Sequence, residues 1–146
     1  MDSQQEQALI TAAKEALKNA YTIMSNFPVG AAVLTTKGNI YKGCNTESVI
    51  SGMGVCAERS AIDHAVANGE YCFTAIAINA PTDKPTPPCG MCRQYIGEFS
   101  QVSEENIKII MVGKDDKTHH SNIEEMASPI FGPKDLGIDL SKYRER

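Results

Sequence analysis

Two segments decide the fold of this 146-residue chain: C-A-E-R-S-A-I-D-H-A-V-A-N-G at residues 56–69 and P-C-G-M-C-R-Q-Y-I-G-E-F at residues 88–99. Each predicts a helix that begins close to a cysteine, because a glycine closes the first segment and a proline opens the second. Between them, the apolar run F-T-A-I-A-I-N-A at residues 73–80 is typical of a buried central strand. Residues 81–88 hold four of the seven prolines and therefore predict a loop.

The N-terminal part of the chain predicts one helix followed by a β-hairpin. Apolar residues recur there at spacings of three and four, which predicts an amphipathic helix: Leu9, Ile10, Ala13, Leu17 and Ala20 or Tyr21. Ser3 and Glu6 resemble a capping box at its start. The β-branched run at residues 29–36 and the segment at residues 40–45 predict two strands joined by a turn that contains a glycine.

The C-terminal part of the chain adds two strands and a tail. An apolar run at residues 107–113 predicts a strand, and residues 117–120 predict a short edge strand. The prolines and glycines of S-P-I-F-G-P-K-D-L-G argue against a long terminal helix. The whole order is α-β-β-α-β-α-β-β-tail, which predicts a single domain over residues 1–146 with helices packed on a mixed sheet, an α/β sandwich.

Charge and composition exclude several classes of function. A net charge of -4 without a lysine or arginine run makes nucleic acid an unsuitable partner, because its phosphates would be repelled. The N-terminus shows no basic leader and no apolar run, and no stretch is apolar enough to span a membrane. We therefore expect the reducing cytoplasm, where clustered cysteines more often indicate metal binding or catalysis than disulfides.

Three of the five cysteines predict a zinc site. Cys89 and Cys92 are three residues apart, so they share one face of a helix, and Cys56 would join them from the start of the other helix. Three protein ligands leave the fourth position of a tetrahedral zinc ion open, which is the arrangement of a catalytic site.

The alternatives to this zinc site are a fourth ligand or a C-x-x-C of another kind. Cys44, Cys72 and His64 are candidates for a fourth ligand, but none has suitable spacing, and we expect packed thiols and a solvated histidine. A lone C-x-x-C can be redox-active or incidental. Glu58, two residues after Cys56, and the proline before Cys89 complete instead the signature of zinc-dependent nucleobase deaminases.

The negative charge of three zinc-bound thiolates suggests roles for the helix N-termini and for Arg59. Three thiolates on Zn²⁺ leave a net charge of -1, which would weaken the metal as a Lewis acid. The helix N-termini oppose this effect, and Arg59 could donate hydrogen bonds to the thiolates as a supporting residue. Arg93 could do the same or lie on the surface. Glu58 would then take a proton from a zinc-activated water and pass it to the ring nitrogen and the departing ammonia.

The chain resembles the cytidine deaminase family of the small homotetrameric type over nearly its whole length. The resemblance rests on the motifs above and on three more: S-N-F-P-V-G-A-A-V-L, G-C-N-T-E and F-G-P-K-D-L. The resemblance implies a three-layer sandwich with a five-stranded mixed sheet, one zinc ion per subunit, and deamination of free cytidine and deoxycytidine in pyrimidine salvage. A cysteine at position 56 resembles the free-nucleoside enzymes of the superfamily.

The resemblance also implies residues that bind substrate. Asn45 and Glu47 match the pair that holds the ribose 3′-hydroxyl, with a turn-capping role for the strand end as the alternative. Phe27 matches the aromatic residue beside the pyrimidine, and Ala57 would offer its backbone to the base. Phe131 resembles a tail residue that reaches the site of a neighbouring subunit.

The chain departs from the family pattern at two positions on the rim of the site, where Met24 and Ser51 stand in place of tyrosines. This leaves open a modified cytosine nucleoside, such as an aminonucleoside antibiotic, as the substrate. A protein of another class, a non-catalytic fold that zinc stabilises and that binds a partner, would need a saturated zinc site.

Overall fold

The computed structural model describes residues 1–145, which form a three-layer α/β sandwich around one mixed sheet. Five strands lie in the order β2-β1-β3-β4-β5, in which only β3 and β4 are parallel neighbours. Their bounds are Gly30–Thr35 (β1), Ile40–Cys44 (β2), Phe73–Asn79 (β3), Lys108–Val112 (β4) and Thr118–Asn122 (β5). The predicted five-stranded mixed sheet is confirmed.

Helices cover both faces of this sheet. The long ones are α1 (Ser3–Leu17), α2 (Ala57–Ala67) and α3 (Gly90–Ser103), and two short ones follow, α4 (Ile123–Ala127) and α5 (Ser141–Arg144). Because side chains alternate along a strand, Ala32 and Leu34 of β1 pack toward α1, whereas Ala31 and Val33 pack toward α2. Both faces of β1 are therefore buried, which explains its unbroken apolar sequence.

The sheet brings the starts of α2 and α3 together. β2 and β3 both pair antiparallel with β1, and Gly30 lies opposite both Cys44, the last residue of β2, and Asn79, the last residue of β3. The carboxyl ends of β2 and β3 consequently lie at one edge of the sheet, and the chain continues from each of them toward a helix. Cys56 and Cys89 occupy the residue before α2 and before α3, close to the predicted helix starts.

Two glycines allow the helices to approach the sheet closely. A Cβ atom added to Gly43 would lie 2.2 Å from the backbone nitrogen of Ala61 in α2. A Cβ atom added to Gly30 would lie 2.0 Å from the carbonyl oxygen of Ala13 in α1. Only glycine fits at either position, because the contact on the other side is backbone.

Several boundaries differ from prediction. The cap of α1 is formed by Asp2 and Gln5, whose side chains and backbone N–H groups bond reciprocally, and not by Ser3 and Glu6. The helix stops at Leu17, because the backbone of Tyr21 pairs with the segment that follows β2. β5 continues beyond the predicted residue 120 to Asn122, which pairs with Lys108 and caps α4. The helix α3 extends beyond the predicted residue 99 to Ser103.

Within residues 1–145, no helix combines the length and the apolar character that crossing a bilayer requires. The only terminal helix described is the single turn of α5, in agreement with the predicted lack of a long one.

Candidate active site

The three predicted zinc ligands converge at the starts of α2 and α3. The sulfur atoms of Cys56, Cys89 and Cys92 all lie within 4.8 Å of one another, and the sulfurs of Cys56 and Cys89 are 3.8 Å apart. Cys92 is completely buried, whereas Cys89 is exposed. This donor set fits zinc, because three soft sulfur atoms close one side of the site and its other side opens toward solvent.

The structure places no fourth ligand with this group: among the described residues, these three cysteines are the only cluster of at least three metal-ligating side chains. Two of the three other candidates have different partners. The Cys72 thiol donates to the Tyr143 carbonyl oxygen at 3.8 Å, and Nδ1 of His64 is 2.9 Å from the Lys42 carbonyl oxygen. The cluster is therefore the open set expected of a catalytic metal and not the saturated set of a structural one.

The surroundings of Cys56 favour the charged form of its sulfur, which is the form that a metal needs. A hydrogen bond from the Cys92 side chain lowers the pKa of Cys56 to about 5, and bonds from Arg59 and Cys89 assist despite partial burial. The pKa of Cys92 is raised in turn, because its proton is held against Cys56 in a buried position. The site thus stabilises a thiolate at Cys56 before any metal is bound.

Arg59 lies where the predicted supporting role requires it. Its Nη2 atom is 3.8 Å from the Cys56 sulfur, and its pKa is raised first by that bond. Arg93 does not contact the thiolates; it donates to the carbonyl oxygens of Pro88 and Met126 at 2.8 and 3.3 Å. Arg93 therefore fastens the loop before Cys89 to the C-terminal part of the chain.

Glu58 lies beside the cysteines at the second position of α2. Only 5% of it is exposed, and its pKa is raised, chiefly by burial and further by the negative charge of Cys56. A buried carboxyl group whose pKa is shifted toward neutrality suits a group that accepts and returns a proton.

One cavity of about 480 Å³ connects most of the predicted site residues. Its lining includes no lysine or arginine, and consists of Ser25, Phe27, Val29, Asn45, Glu47, Cys56, Ala57, Glu58, Ile78, Thr86, Pro87 and Cys89. The structure thus brings Phe27, Asn45, Glu47 and Ala57 to the cysteines and Glu58, as the resemblance implies.

Five lining residues were not predicted from the sequence: Ser25, Val29, Ile78, Thr86 and Pro87. Ile78 comes from the end of β3, and Thr86 and Pro87 come from the proline-rich loop that leads to Cys89. That loop was predicted as a connection only. Its position directly before a metal ligand was the available signal that it forms a wall of the site.

Asn45 and Glu47 hold the loop that contains Phe27. Asn45 Oδ1 accepts a hydrogen bond from the Val29 N–H at 2.8 Å, and its Nδ2 donates to the Phe27 carbonyl oxygen at 2.9 Å. Glu47 accepts from the N–H groups of Met24 and Ser25 at 3.0 and 3.1 Å. These contacts go beyond the turn-capping alternative, because they link two segments of chain across the mouth of the cavity.

Phe131 does not line this cavity. It is 65% exposed, and Gln94 Nε2 donates to its carbonyl oxygen at 2.6 Å, so the tail is fastened to α3 with the ring outward. Within one chain, the structure therefore leaves Phe131 apart from the other predicted site residues.

Residues 3–113 match the protein family described as the cytidine and deoxycytidylate deaminase zinc-binding region. The chain is 50% identical to the cytidine deaminase of Sporosarcina psychrophila over 91 residues, 62% of this chain and 67% of that protein. It is 32% identical to a probable cytidine deaminase of Dictyostelium discoideum over 93% of this chain and 90% of that protein.

Solved structures are similar over most of the chain. The crystal structure of cytidine deaminase from Burkholderia pseudomallei superposes with a TM-score of 0.81 at 34% identity, covering 90% of this chain and all of that one. Cytidine deaminase from Mycobacterium tuberculosis superposes with a TM-score of 0.71 at 28% identity, covering 87% of this chain and 97% of that one.

Proposed function

This chain belongs to the family of cytidine and deoxycytidylate deaminases, and from that membership we propose that it hydrolyses free cytidine and deoxycytidine to uridine and deoxyuridine, with release of ammonia. One observation supports the proposal most strongly. Glu58, a buried carboxyl group, lines the same cavity as Cys56 and Cys89, at the joint start of two helices.

Cys56, Cys89 and Cys92 would hold one zinc ion per chain. When bound there, zinc supplies Lewis-acid activation of a water molecule. Arg59 and the N-termini of α2 and α3 offset the negative charge of the three thiolates, which keeps this activation effective.

Glu58 moves the protons of the reaction. It takes a proton from the attacking water and delivers it to the ring nitrogen next to the carbon that carries the amino group. It then takes the second proton of that water from the newly attached hydroxyl group and gives it to the amine, so that the C–N bond breaks, ammonia leaves and the hydroxyl becomes the carbonyl group of uridine. The burial of Glu58 suits this role, because a raised pKa makes a carboxylate a better proton acceptor.

Four further lining residues orient the nucleoside. Phe27 packs beside the pyrimidine ring, and the backbone of Ala57 in the first turn of α2 contacts the base. Asn45 and Glu47 bind the ribose 3′-hydroxyl. The Asn45 amide donates one N–H to Phe27 and retains a second, and the Glu47 carboxylate has acceptor sites beyond those that Met24 and Ser25 use.

The charge of the cavity favours a nucleoside over a nucleotide. Its lining lacks a lysine or arginine that could pair with a phosphate, and the Glu47 carboxylate, beside the 3′-hydroxyl, would repel a 3′-phosphate. The pair of Asn45 and Glu47 also favours an ordinary ribose over the altered sugar of an aminonucleoside. The three-ligand cluster argues against a non-catalytic zinc fold.

A substrate panel tests this specificity. Purified, zinc-loaded protein is assayed with cytidine, deoxycytidine and their 5′-monophosphates by the loss of cytosine absorbance. We expect turnover of both nucleosides, and a kcat/KM for the monophosphates lower by at least about 100-fold, because a phosphate meets no cation. A preference for the monophosphates would contradict the nucleoside assignment.

We further propose that the chain works in the cytoplasm in pyrimidine salvage, as a homotetramer in which Phe131 reaches the cavity of a neighbouring subunit. Large apolar side chains on the surface support association: Val49, Ile50, Met53, Met91 and Phe131 are each at least 59% exposed. Val49, Ile50 and Met53 lie in one loop, and contiguous exposed apolar groups often mark protein–protein contacts.

A further inference from the structure

The loop of residues 21–29, here called the Phe27 loop, is held at both ends by the segment that follows β2. At one end, the Tyr21 N–H donates to the Asn45 carbonyl oxygen at 3.0 Å, and the Glu47 N–H donates to the Tyr21 carbonyl oxygen at 2.8 Å. At the other end, the Asn45 N–H donates to the Val29 carbonyl oxygen at 3.1 Å. Both ends of the loop are thus fixed, but these bonds alone do not fix its middle.

The middle of the Phe27 loop is exposed and sharply turned. Phe27 is 37% exposed, so core packing holds its ring on only part of its surface. Asn26 has a positive φ of 52°, a conformation that asparagine tolerates better than most residues. The position of the ring therefore depends on the local hydrogen bonds of the loop.

Ser25 makes hydrogen bonds in both directions at this point. Its Oγ accepts a hydrogen bond from the Phe27 N–H at 3.0 Å, and its own N–H donates to the Glu47 carboxylate at 3.1 Å. Ser25 also lines the cavity itself, between the aromatic residue and the carboxylate.

We propose that Ser25 is a positioning residue that couples Phe27, beside the base, to Glu47, beside the ribose. This role of Ser25 rests on the proposed function, which assigns the base to Phe27 and the ribose to Glu47. The hydroxyl fixes the backbone of Phe27 relative to the carboxylate, so that both contacts fit one nucleoside at the same time. Ser25 acts on substrate binding through Phe27 and takes no part in proton transfer.

Ser25→Ala tests this role, because it removes the hydroxyl and leaves Asn45, Glu47 and Phe27 in the chain. We expect the KM for cytidine and the Kd for uridine, which does not react, to rise about fivefold to tenfold, the size expected for loss of one hydrogen bond. The kcat should stay within about twofold, since the bond contributes to binding before and during the reaction alike. Ser25→Thr, which keeps a hydroxyl, should restore both constants.

Ser121→Ala is the matched control. The Ser121 hydroxyl donates to the Glu125 carboxylate at 2.7 Å, but Ser121 does not line the cavity that contains the cysteines. We expect its KM and Kd to match those of the wild type. A melting temperature for Ser25→Ala that equals that of Ser121→Ala would separate the binding effect from a loss of folding.

A double-mutant cycle with Phe27→Ala tests whether Ser25 acts through the aromatic residue. In the Phe27→Ala background, Ser25→Ala should raise the uridine Kd by less than about twofold, because the ring that it positions is gone. Fully additive effects, an unchanged KM and Kd in Ser25→Ala, or a fall in kcat alone would overturn the inference.

A wild type that neither binds uridine nor converts cytidine contradicts the proposed function, and the inference about Ser25 is then contradicted as well. If the wild type is active and Ser25→Ala leaves its KM and Kd unchanged, only the inference about Ser25 is contradicted.

Discussion

Glu58 combines burial with a position next to three cysteines, which is an unfavourable place for an ionised carboxylate. Burial and the negative charge of Cys56 raise its pKa, and within residues 1–145 Glu58 forms no salt bridge. A buried carboxyl group with a perturbed pKa is typical of a functional site. The proposed proton transfers give this position a use.

Glu58→Gln tests that role at the residue scale. Glutamine keeps the size of the side chain and cannot carry the proton, so we expect kcat to fall about 10²- to 10⁴-fold, the usual contribution of a general acid–base group. The zinc content should stay at one ion per chain, because Glu58 is not a ligand. Steady-state kinetics and metal analysis on the same sample check both statements. A fully active variant would exclude Glu58 as the proton carrier.

Residue spacing predicted that the three cysteines lie together, because a metal site leaves its ligand spacing in the sequence, and the signature of zinc-dependent nucleobase deaminases added Glu58. It did not predict Ser25, Ile78 or Pro87 as lining residues. These side chains reach the cavity through the ends of strands and through an irregular loop, for which the sequence carries no periodic signal. The role of Asn45 in holding the Phe27 loop was missed for the same reason.

At the scale of the elements, Glu70 joins the hairpin of β1 and β2 to the α2–β3 connection. Glu70 lies in that connection and is only 8% exposed. It accepts hydrogen bonds from Asn39 Nδ2 at 2.6 Å and from the Tyr41 hydroxyl at 2.9 Å, while its Oε2 atom is buried without a partner. Although burial opposes ionisation, bonds from Thr35, Asn39 and Tyr41 hold the pKa of Glu70 below 4.5.

Glu70→Gln is therefore expected to lower the free energy of unfolding at pH 7 by about 1–3 kcal/mol, the cost of a poorly satisfied buried polar group. A folded-state pKa below the unfolded value means that ionised Glu70 stabilises the fold above about pH 4.5, and that this contribution is lost as the pH falls through the folded value. The difference between wild type and variant should therefore shrink below pH 4.5.

Urea unfolding of both proteins at pH 7 and at pH 3.5, at equal protein concentration, measures this difference. Glu125→Gln is the control, because the Glu125 pKa is also lowered, first by the Ser121 side chain, but the residue is exposed. We expect a smaller effect from it. A Glu70→Gln difference that is equal at both pH values would contradict the role of the charge.

Most elements were predicted: α1 from hydrophobic periodicity, α2 and α3 from glycine and proline at their boundaries, and the strands from apolar runs. The short helix α4 was not predicted. The prediction failed where one backbone contact decided a boundary. The helix α1 ends at Leu17 because Tyr21 pairs with residues 45–47, a contact between distant segments that local sequence does not encode. Its cap begins one residue earlier than predicted, at Asp2, which is an equally good capping residue.

At the scale of the whole molecule, the exposed apolar side chains and the outward ring of Phe131 favour association of several chains. We expect sedimentation equilibrium to give a particle of four 15.8 kDa chains. Phe131→Ala should raise the KM for cytidine in the assembled enzyme by about 10-fold or more, the typical cost of losing a well-packed aromatic contact. A stable and fully active monomer would refute both the tetramer and the role of Phe131 in a neighbouring site.

The conversion of cytidine to uridine by one preparation, before and after zinc removal, tests the central assignment most directly. Zinc-loaded protein with one ion per chain should convert cytidine and deoxycytidine with release of ammonia. The chelated protein should be inactive and should regain activity when zinc is returned, because the three cysteines supply no nucleophilic water by themselves. Absence of turnover by the fully zinc-loaded protein, or full activity after complete zinc removal, would contradict the assignment.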